Sequence, residues 1–191
     1  MTPTLLLASK SPRRRQLLAQ LGFPVCYVDV DVDEVMDRQT PVKLVAAHLA
    51  LLKSRGYKQQ LGDDELLITA DTVVAHKGQV LGKPRDREEA EQMLRSLSGD
   101  SHKVYTGVCI KSAARHVVFT EQTTVVFRQL SDEIINTYIN QGTCFDKAGA
   151  YGIQEWIGMV GVERIEGCYY NVMGLPLARL YDELLAFVRK P

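Results

Sequence analysis

The sequence predicts a mixed α/β fold, and three observations carry that prediction. Short apolar runs of strand type alternate with stretches of helical periodicity along most of the chain. Hairpin signals at Lys77-Gly78 and around residues 112–115 argue against a purely parallel sheet. Residues 117–127 contain almost no turn formers, as expected of a long strand shared by two lobes. No repeat, low-complexity tract or linker interrupts the pattern, so residues 1–191 are expected to form a single two-lobed domain.

Leu5-Leu6-Leu7-Ala8 opens as a buried strand and runs into Ser9-Lys10-Ser11-Pro12-Arg13-Arg14-Arg15. Pro12 suits the first turn of a helix, which Leu17, Leu18 and Leu21 continue until Gly22 and Pro24 stop it. Residues 25–32 alternate as a half-buried strand does and end in Asp29, Asp31, Asp33 and Glu34. Thr40-Pro41 starts a helix with Val42, Val45, Ala46, Leu49 and Leu52 as its buried stripe, and Lys53 falls beside that stripe. Residues 66–75 read as a strand that turns at Lys77-Gly78 into Val80-Leu81. Gly82-Lys83-Pro84 then breaks the chain. Asp86 with Glu89 resembles a capping box for a helix lined by Ala90, Met93, Leu94 and Leu97. Strands are expected over 104–110 and 117–127, and Ser131 caps a helix carrying Ile134, Ile135, Tyr138 and Ile139. Residues 146–154 hold too much glycine and polarity for a regular element, as functional loops often do. Residues 157–165 and 169–172 read as two further strands. Pro176 opens a last helix with Leu177, Leu180, Tyr181, Leu184, Leu185 and Val188 at helical spacing.

A hydrophobic content of 46% and a charged content of 24% describe an ordinary globular chain. The formal net charge is +0, so no overall field attracts nucleic acid or an acidic membrane, and any anion site must be local. Thr2-Pro3 leads straight into the first strand, so neither a secretory leader nor a membrane helix is expected. Four scattered cysteines without a C-x-x-C pair fit a reducing cytoplasm better than a zinc site or a disulfide framework.

The strand-turn-helix junction at residues 8–13 should present backbone N–H groups and the positive end of a helix dipole to an anion. Arginines are disfavoured at a helix start unless an anion offsets them, and their planar fork bonds phosphate bidentately. Asp71 stands in Leu67-Ile68-Thr69-Ala70-Asp71-Thr72-Val73-Val74, where a carboxylate is costly unless paired, metal-bound or at the mouth of a cleft. Glu34 is a candidate second carboxylate for a divalent cation, although taken alone such a residue is more often a solvated loop acid. Lys53 and Lys83 read singly as surface lysines. With Arg13 and Arg14 they are cations enough to neutralise a triphosphate. No GxxxxGK[ST] or GxGxxG pattern exists, which excludes P-loop and Rossmann nucleotide binding. These residues describe a basic-plus-acidic cleft for a phosphorylated small molecule and a metal, without specifying the reaction.

In this order the motifs resemble the Maf family of nucleoside triphosphate pyrophosphatases across nearly the whole chain. The resemblance rests on Ser9-Lys10-Ser11-Pro12-Arg13-Arg14, Val32-Asp33-Glu34, Lys53, Ala70-Asp71-Thr72-Val73, Gly82-Lys83-Pro84, Asp146-Lys147-Ala148-Gly149-Ala150-Tyr151-Gly152-Ile153-Gln154 and Asn171-Val172-Met173-Gly174-Leu175-Pro176. It departs at Cys144-Phe145, where that family carries Pro-Leu. The resemblance implies a fold similar to inosine triphosphate pyrophosphatases, with a mixed sheet, a long central strand and two lobes around a cleft. It also implies hydrolysis of a nucleoside triphosphate to monophosphate and pyrophosphate, a divalent metal (Mg or Mn), a cytoplasmic location and a homodimer, with no membrane and no stable nucleic-acid partner. One subgroup acts on dTTP and UTP. Another acts on 7-methylguanosine triphosphate, with Trp, Gln and Glu where this chain has Arg13, Thr72 and Gln154. The Arg/Thr/Gln set resembles the first. Thymine and uracil offer a neutral acceptor-donor-acceptor edge that a Gln amide matches with a donor and an acceptor. Cationic methylguanine would favour a carboxylate and an aromatic platform.

The resemblance casts Asp71 as proton acceptor, with Ser9, Arg13, Arg14, Lys53 and Lys83 on the phosphates. Arg13, Thr72 and Gln154 then set base preference, and Glu34 with Asp71 holds the metal. A free Asp, with a pKa of about 3.9, is a feeble base at neutral pH. Asp71 therefore either sits where burial strengthens it as a base or helps hold a metal that acidifies the water. Rival readings are the same chemistry on a purine triphosphate, and a binding protein of cell-division control that holds nucleotide only as a ligand.

Overall fold

The structure is a computed structural model that describes residues 2–33 and 40–189. In chain order its elements are β1 (Thr4–Ala8), α1 (Pro12–Ala19), β2 (Val25–Val28), α2 (Val42–Gly56), β3 (Glu65–His76), β4 (Gln79–Leu81), α3 (Arg87–Leu97), β5 (Ser101–Lys111), β6 (His116–Phe127), α4 (Asp132–Asn140), α5 (Trp156–Gly161), β7 (Val162–Glu166), α6 (Tyr169–Met173) and α7 (Leu177–Arg189). Two short 3-10 turns, Cys144–Asp146 and Ala148–Ala150, sit between α4 and α5. The strands form one seven-stranded mixed sheet in the order β2-β1-β3-β5-β6-β7, with β4 on β3. β1 pairs in parallel with both β2 and β3, whereas β3–β4 and β6–β7 are antiparallel. The chain falls into two compact units. The first takes residues up to Asp71, Thr106–Glu121 and the chain from Gly174; the second takes Thr72–Tyr105 and Gln122–Met173. The division falls inside β3, β5 and β6, so the long strand expected over 117–127 is one of three whose residues are split between the two units.

In the first unit, Leu6, Ala8, Tyr57, Leu61 and Leu67 pack into one cluster. Gly107 of β5 lies against the backbone of Ala46 and Ala47, in contact so close that a Cβ at 107 would overlap those atoms. One turn along α2 the helix is tied to β3, where the Thr69 hydroxyl donates to the Ala50 carbonyl at 2.6 Å. At the end of α2, Val30 and Val32 lie over Gly56, anchoring the described part of the acidic segment. α7 is held by arginines on aromatic faces, Arg115 over Phe187 at 4.5 Å and Arg179 over Phe119 at 4.6 Å.

The core of the second unit joins Val74, Leu94, Leu97, Val104, Phe127, Tyr138, Tyr151 and Ile157. Within it the His102 ring, 2% exposed, meets Phe127 and Tyr151 edge-on and shares a 2.7 Å hydrogen bond with the Tyr151 hydroxyl. No described residue bonds its Nδ1, so a charged ring would lack a second acceptor. Burial, reinforced by His76, pushes its pKa down to about 4.

Several expected elements change. The strand expected over 25–32 stops at Val28, and α1 ends at Ala19, short of Leu21. The first part of 157–165 is helical because Gly158 packs directly on the Ile153 carbonyl, contact that overrides the strand preference of its branched residues. Residues 169–172 belong to α6, whose buried Asn171 donates to the Val104 carbonyl and the Thr123 hydroxyl. The capping box at α3 is half formed. Asp86 accepts from the Glu89 N–H at 2.8 Å, but the Glu89 carboxylate takes the Arg85 N–H.

Gly107→Ala should destabilise the protein by about 1–3 kcal/mol in chemical denaturation, the usual range for overpacking. An unchanged midpoint would contradict the close approach of α2. His102 gives a pH dependence. Its folded pKa lies below the ordinary value, so below about pH 6.5 the unfolded chain binds a proton that the folded one refuses. Stability is therefore full above that pH and falls by about 3 kcal/mol as pH drops toward 4. In His102→Phe, denaturation midpoints should vary less across that window.

Candidate active site

The turn between β1 and α1 is built by its two serines. Ser9 Oγ accepts the Ser11 N–H at 3.2 Å, and Ser11, as the N-cap, accepts the Arg14 N–H at 3.5 Å. Those two backbone donors are thereby satisfied, and Pro12 has none, so this junction offers an anion fewer backbone N–H groups than the sequence suggests. The three arginines divide. Arg15 turns back, donating from Nε to the Ser9 carbonyl at 3.0 Å and stacking over Tyr27 at 4.8 Å, so it braces the turn. Arg14 Nε donates to the Gly174 carbonyl at 2.8 Å, which aims its guanidinium from the far end of the sequence. Arg13 is half-buried on the first turn of α1. An anion is thus not the sole offset for this basic turn.

Asp71 pairs with Lys53 across α2 and β3, Nζ to Oδ1 at 2.5 Å. Both side chains are largely enclosed, 17% exposed for Lys53 and 15% for Asp71, so the pair is screened far less than a surface ion pair. Thr69 and Asp71 share one face of β3 and bond Ala50 and Lys53, neighbours one turn apart on α2. Glu34 lies outside the described residues. Among the described residues no group of three or more His, Cys, Asp or Glu converges. The Asp71 carboxylate is a hard oxygen donor, which suits a cation that draws its remaining ligands from substrate phosphates and water.

In the second unit, Thr72 is half-buried on β3, Lys83 is exposed after β4, and Gln154 is half-buried at the end of the 146–154 loop. The Gly149 N–H donates to the Gly82 carbonyl at 3.0 Å, which joins the residue before Lys83 to that loop. Gly149 and Ala150 both take positive φ, 70° and 60°, and Val74 fills the space where a Gly149 side chain would stand. A left-handed alanine is strained, and such strain is retained where a loop must hold one shape. Sequence reasoning missed the brace of this loop. Lys147, 6% exposed, pairs with Asp146 at 2.6 Å and Glu155 at 2.8 Å and donates to the Thr143 carbonyl. The Glu155 carboxylate also accepts from the Tyr138 hydroxyl at 2.5 Å, and burial, followed by this contact, raises the Tyr138 pKa. A lysine and a glutamate bracketing a glycine-rich loop were the available signal.

Among the described residues no helix is long and apolar enough to cross a membrane. The family model for Maf-like protein matches residues 4–187. A protein of Parabacteroides distasonis named dTTP/UTP pyrophosphatase is 48% identical over 185 residues, covering 96% of this chain and 95% of the relative. Proteins of the same name from Bacteroides thetaiotaomicron and Caldanaerobacter subterraneus subsp. tengcongensis are each 47% identical, covering 94% and 93% of this chain and 94% and 86% of the relatives. The Ham1 protein of Staphylococcus aureus superposes with a TM-score of 0.55 at 14% identity, covering 96% of this chain and 98% of that one. Such a likeness establishes the fold alone, which is the inosine triphosphate pyrophosphatase-like fold expected above. On the match across nearly its full length, the chain belongs to the Maf-like protein family.

Proposed function

We propose that this chain is a nucleoside triphosphate pyrophosphatase that hydrolyses dTTP and UTP to the monophosphate and pyrophosphate. The observation that carries the reading is the enclosed Lys53–Asp71 pair, a carboxylate held by a lysine in a largely buried strand. The names of the relatives, dTTP/UTP pyrophosphatase, support the substrate.

Water attacks the α-phosphorus, the bond to the bridging oxygen breaks, and pyrophosphate leaves. Asp71 takes the proton of the attacking water. Lys53, on Oδ1, fixes the direction of that carboxylate and brings positive charge to the phosphates. Ser9, Arg13, Arg14 and Lys83 bind phosphate and stabilise charge on the leaving group. Arg13, Thr72 and Gln154 set the preference for a pyrimidine with an acceptor-donor-acceptor edge. Asp71 and Glu34 would hold Mg or Mn, which when bound neutralises phosphate charge and lowers the pKa of bound water. We place the enzyme in the cytoplasm as a homodimer that acts on free nucleotides rather than nucleic acid.

Pyrophosphate release with Mg or Mn across dTTP, UTP, CTP, ITP, GTP and 7-methylguanosine triphosphate should favour dTTP and UTP. Preference for a purine would overturn the base-reading roles, and bound nucleotide without hydrolysis would overturn the enzyme reading. Asp71→Asn should lower kcat by about 10²- to 10⁴-fold, the contribution of a positioned base. Wild-type turnover in that variant would remove Asp71 from the chemistry.

A further inference from the structure

Gln154 sits in a tight turn with both flanks tied to one carboxylate. The Glu155 N–H donates to the Gly152 carbonyl at 3.0 Å and closes the turn. The Gly152 N–H donates to the Tyr138 hydroxyl at 3.1 Å, and that hydroxyl donates to Glu155 Oε2 at 2.5 Å. Oε2 also accepts from the Thr143 hydroxyl at 2.9 Å, while Oε1 receives the buried Lys147. Lys147 has three partners for its three donors, so it cannot rotate without losing one. The Gln154 side chain is part of the same packing. A methyl group added at Gly152 would stand 2.8 Å from Glu155 Cδ, 2.8 Å from Lys147 Cε and 3.0 Å from Gln154 Nε2, so these three side chains close on one point.

We propose that Glu155 is a positioning residue. Through Tyr138, Lys147 and the bare Gly152 it holds the Gln154 amide in a single orientation. The consequence for selectivity rests on the reading of Gln154 as a base contact. Uracil and thymine present an acceptor beside a ring N–H donor; cytosine reverses both. A glutamine amide free to turn over offers its NH2 or its oxygen at either place and accepts both bases. A held amide matches one pattern and leaves an unpaired group against the other, which is how a hydrogen-bonding site rejects an analogue. The unlike charges of Glu155 and Lys147 beside the amide remove its freedom to turn over.

The test compares the wild type with Glu155→Gln, which keeps the shape and removes the charge, and with Gly152→Ala, which keeps every charge and fills the space. Two quantities are read in each: the side-chain amide resonances of Gln154 by ¹⁵N NMR, identified by their loss in Gln154→Leu, and kcat/KM for UTP over CTP. In both variants the resonances should move toward those of a freely rotating glutamine. The UTP-over-CTP ratio should fall about tenfold, mainly through KM for UTP. A merely structural role would lower the melting temperature and move neither. Unchanged resonances and an unchanged ratio in either folded variant overturn the proposal. If the wild type shows no preference for UTP while the Gln154 resonances still shift in Glu155→Gln, the substrate reading fails and the positioning role stands.

Discussion

The first unit depends on a side chain that is absent. α2 can rest on the sheet only because β5 presents bare backbone at Gly107, and Ala46 and Ala47 press into that gap. Helical geometry then does the rest, since positions 46, 50 and 53 lie along one stripe of α2. Once Ala46 touches the sheet, Ala50 reaches Thr69 and Lys53 reaches Asp71. A side chain at 107 would overlap the backbone of Ala46 and Ala47, on the same stripe of α2 that brings Lys53 to Asp71. The ion pair is therefore a product of packing, and its geometry is only as good as the contact two turns away.

The turn after β1 shows a related economy of charge. The chain carries 23 basic and 23 acidic residues, so nothing global gathers anions. Within the turn, Ser9 and Ser11 consume backbone donors that a phosphate would otherwise use. Arg15 is committed to the Ser9 carbonyl and the Tyr27 ring. The attraction for anions thus lies in side-chain cations on a stiffened frame, more than in the dipole of a short helix. Planar guanidiniums suit that arrangement because orientation as well as charge survives in them.

Local pattern exposed much of this molecule and missed what long-range contact decides. β3, β5, β6, α3, α4 and α7 follow directly from alternation, caps and helical spacing, and Asp71 stands out because an acid in an apolar strand is costly. Lys53 was placed beside the buried stripe of α2, but no spacing rule names Asp71 as its partner. The errors at α5 and α6 share one cause: branched and aromatic residues favour strand locally, while Gly158 against Ile153 and Asn171 against Thr123 demand helix. The Tyr138–Glu155–Lys147 brace was invisible for the same reason, since Tyr138 read as one more apolar residue on α4.

The division of the chain at Asp71 and Thr72 bears on how this molecule can evolve. On the roles proposed, Asp71 and Lys53 of the first unit act at the bond that breaks, while Thr72 and Gln154 of the second supply two of the three base-reading side chains, Arg13 of the first being the third. Substitutions in the 146–154 loop and its brace fall wholly within the second unit's own core. A lineage can therefore retune two of the three base-reading positions by editing that one module, while Asp71 and the helix that carries Lys53 are inherited intact.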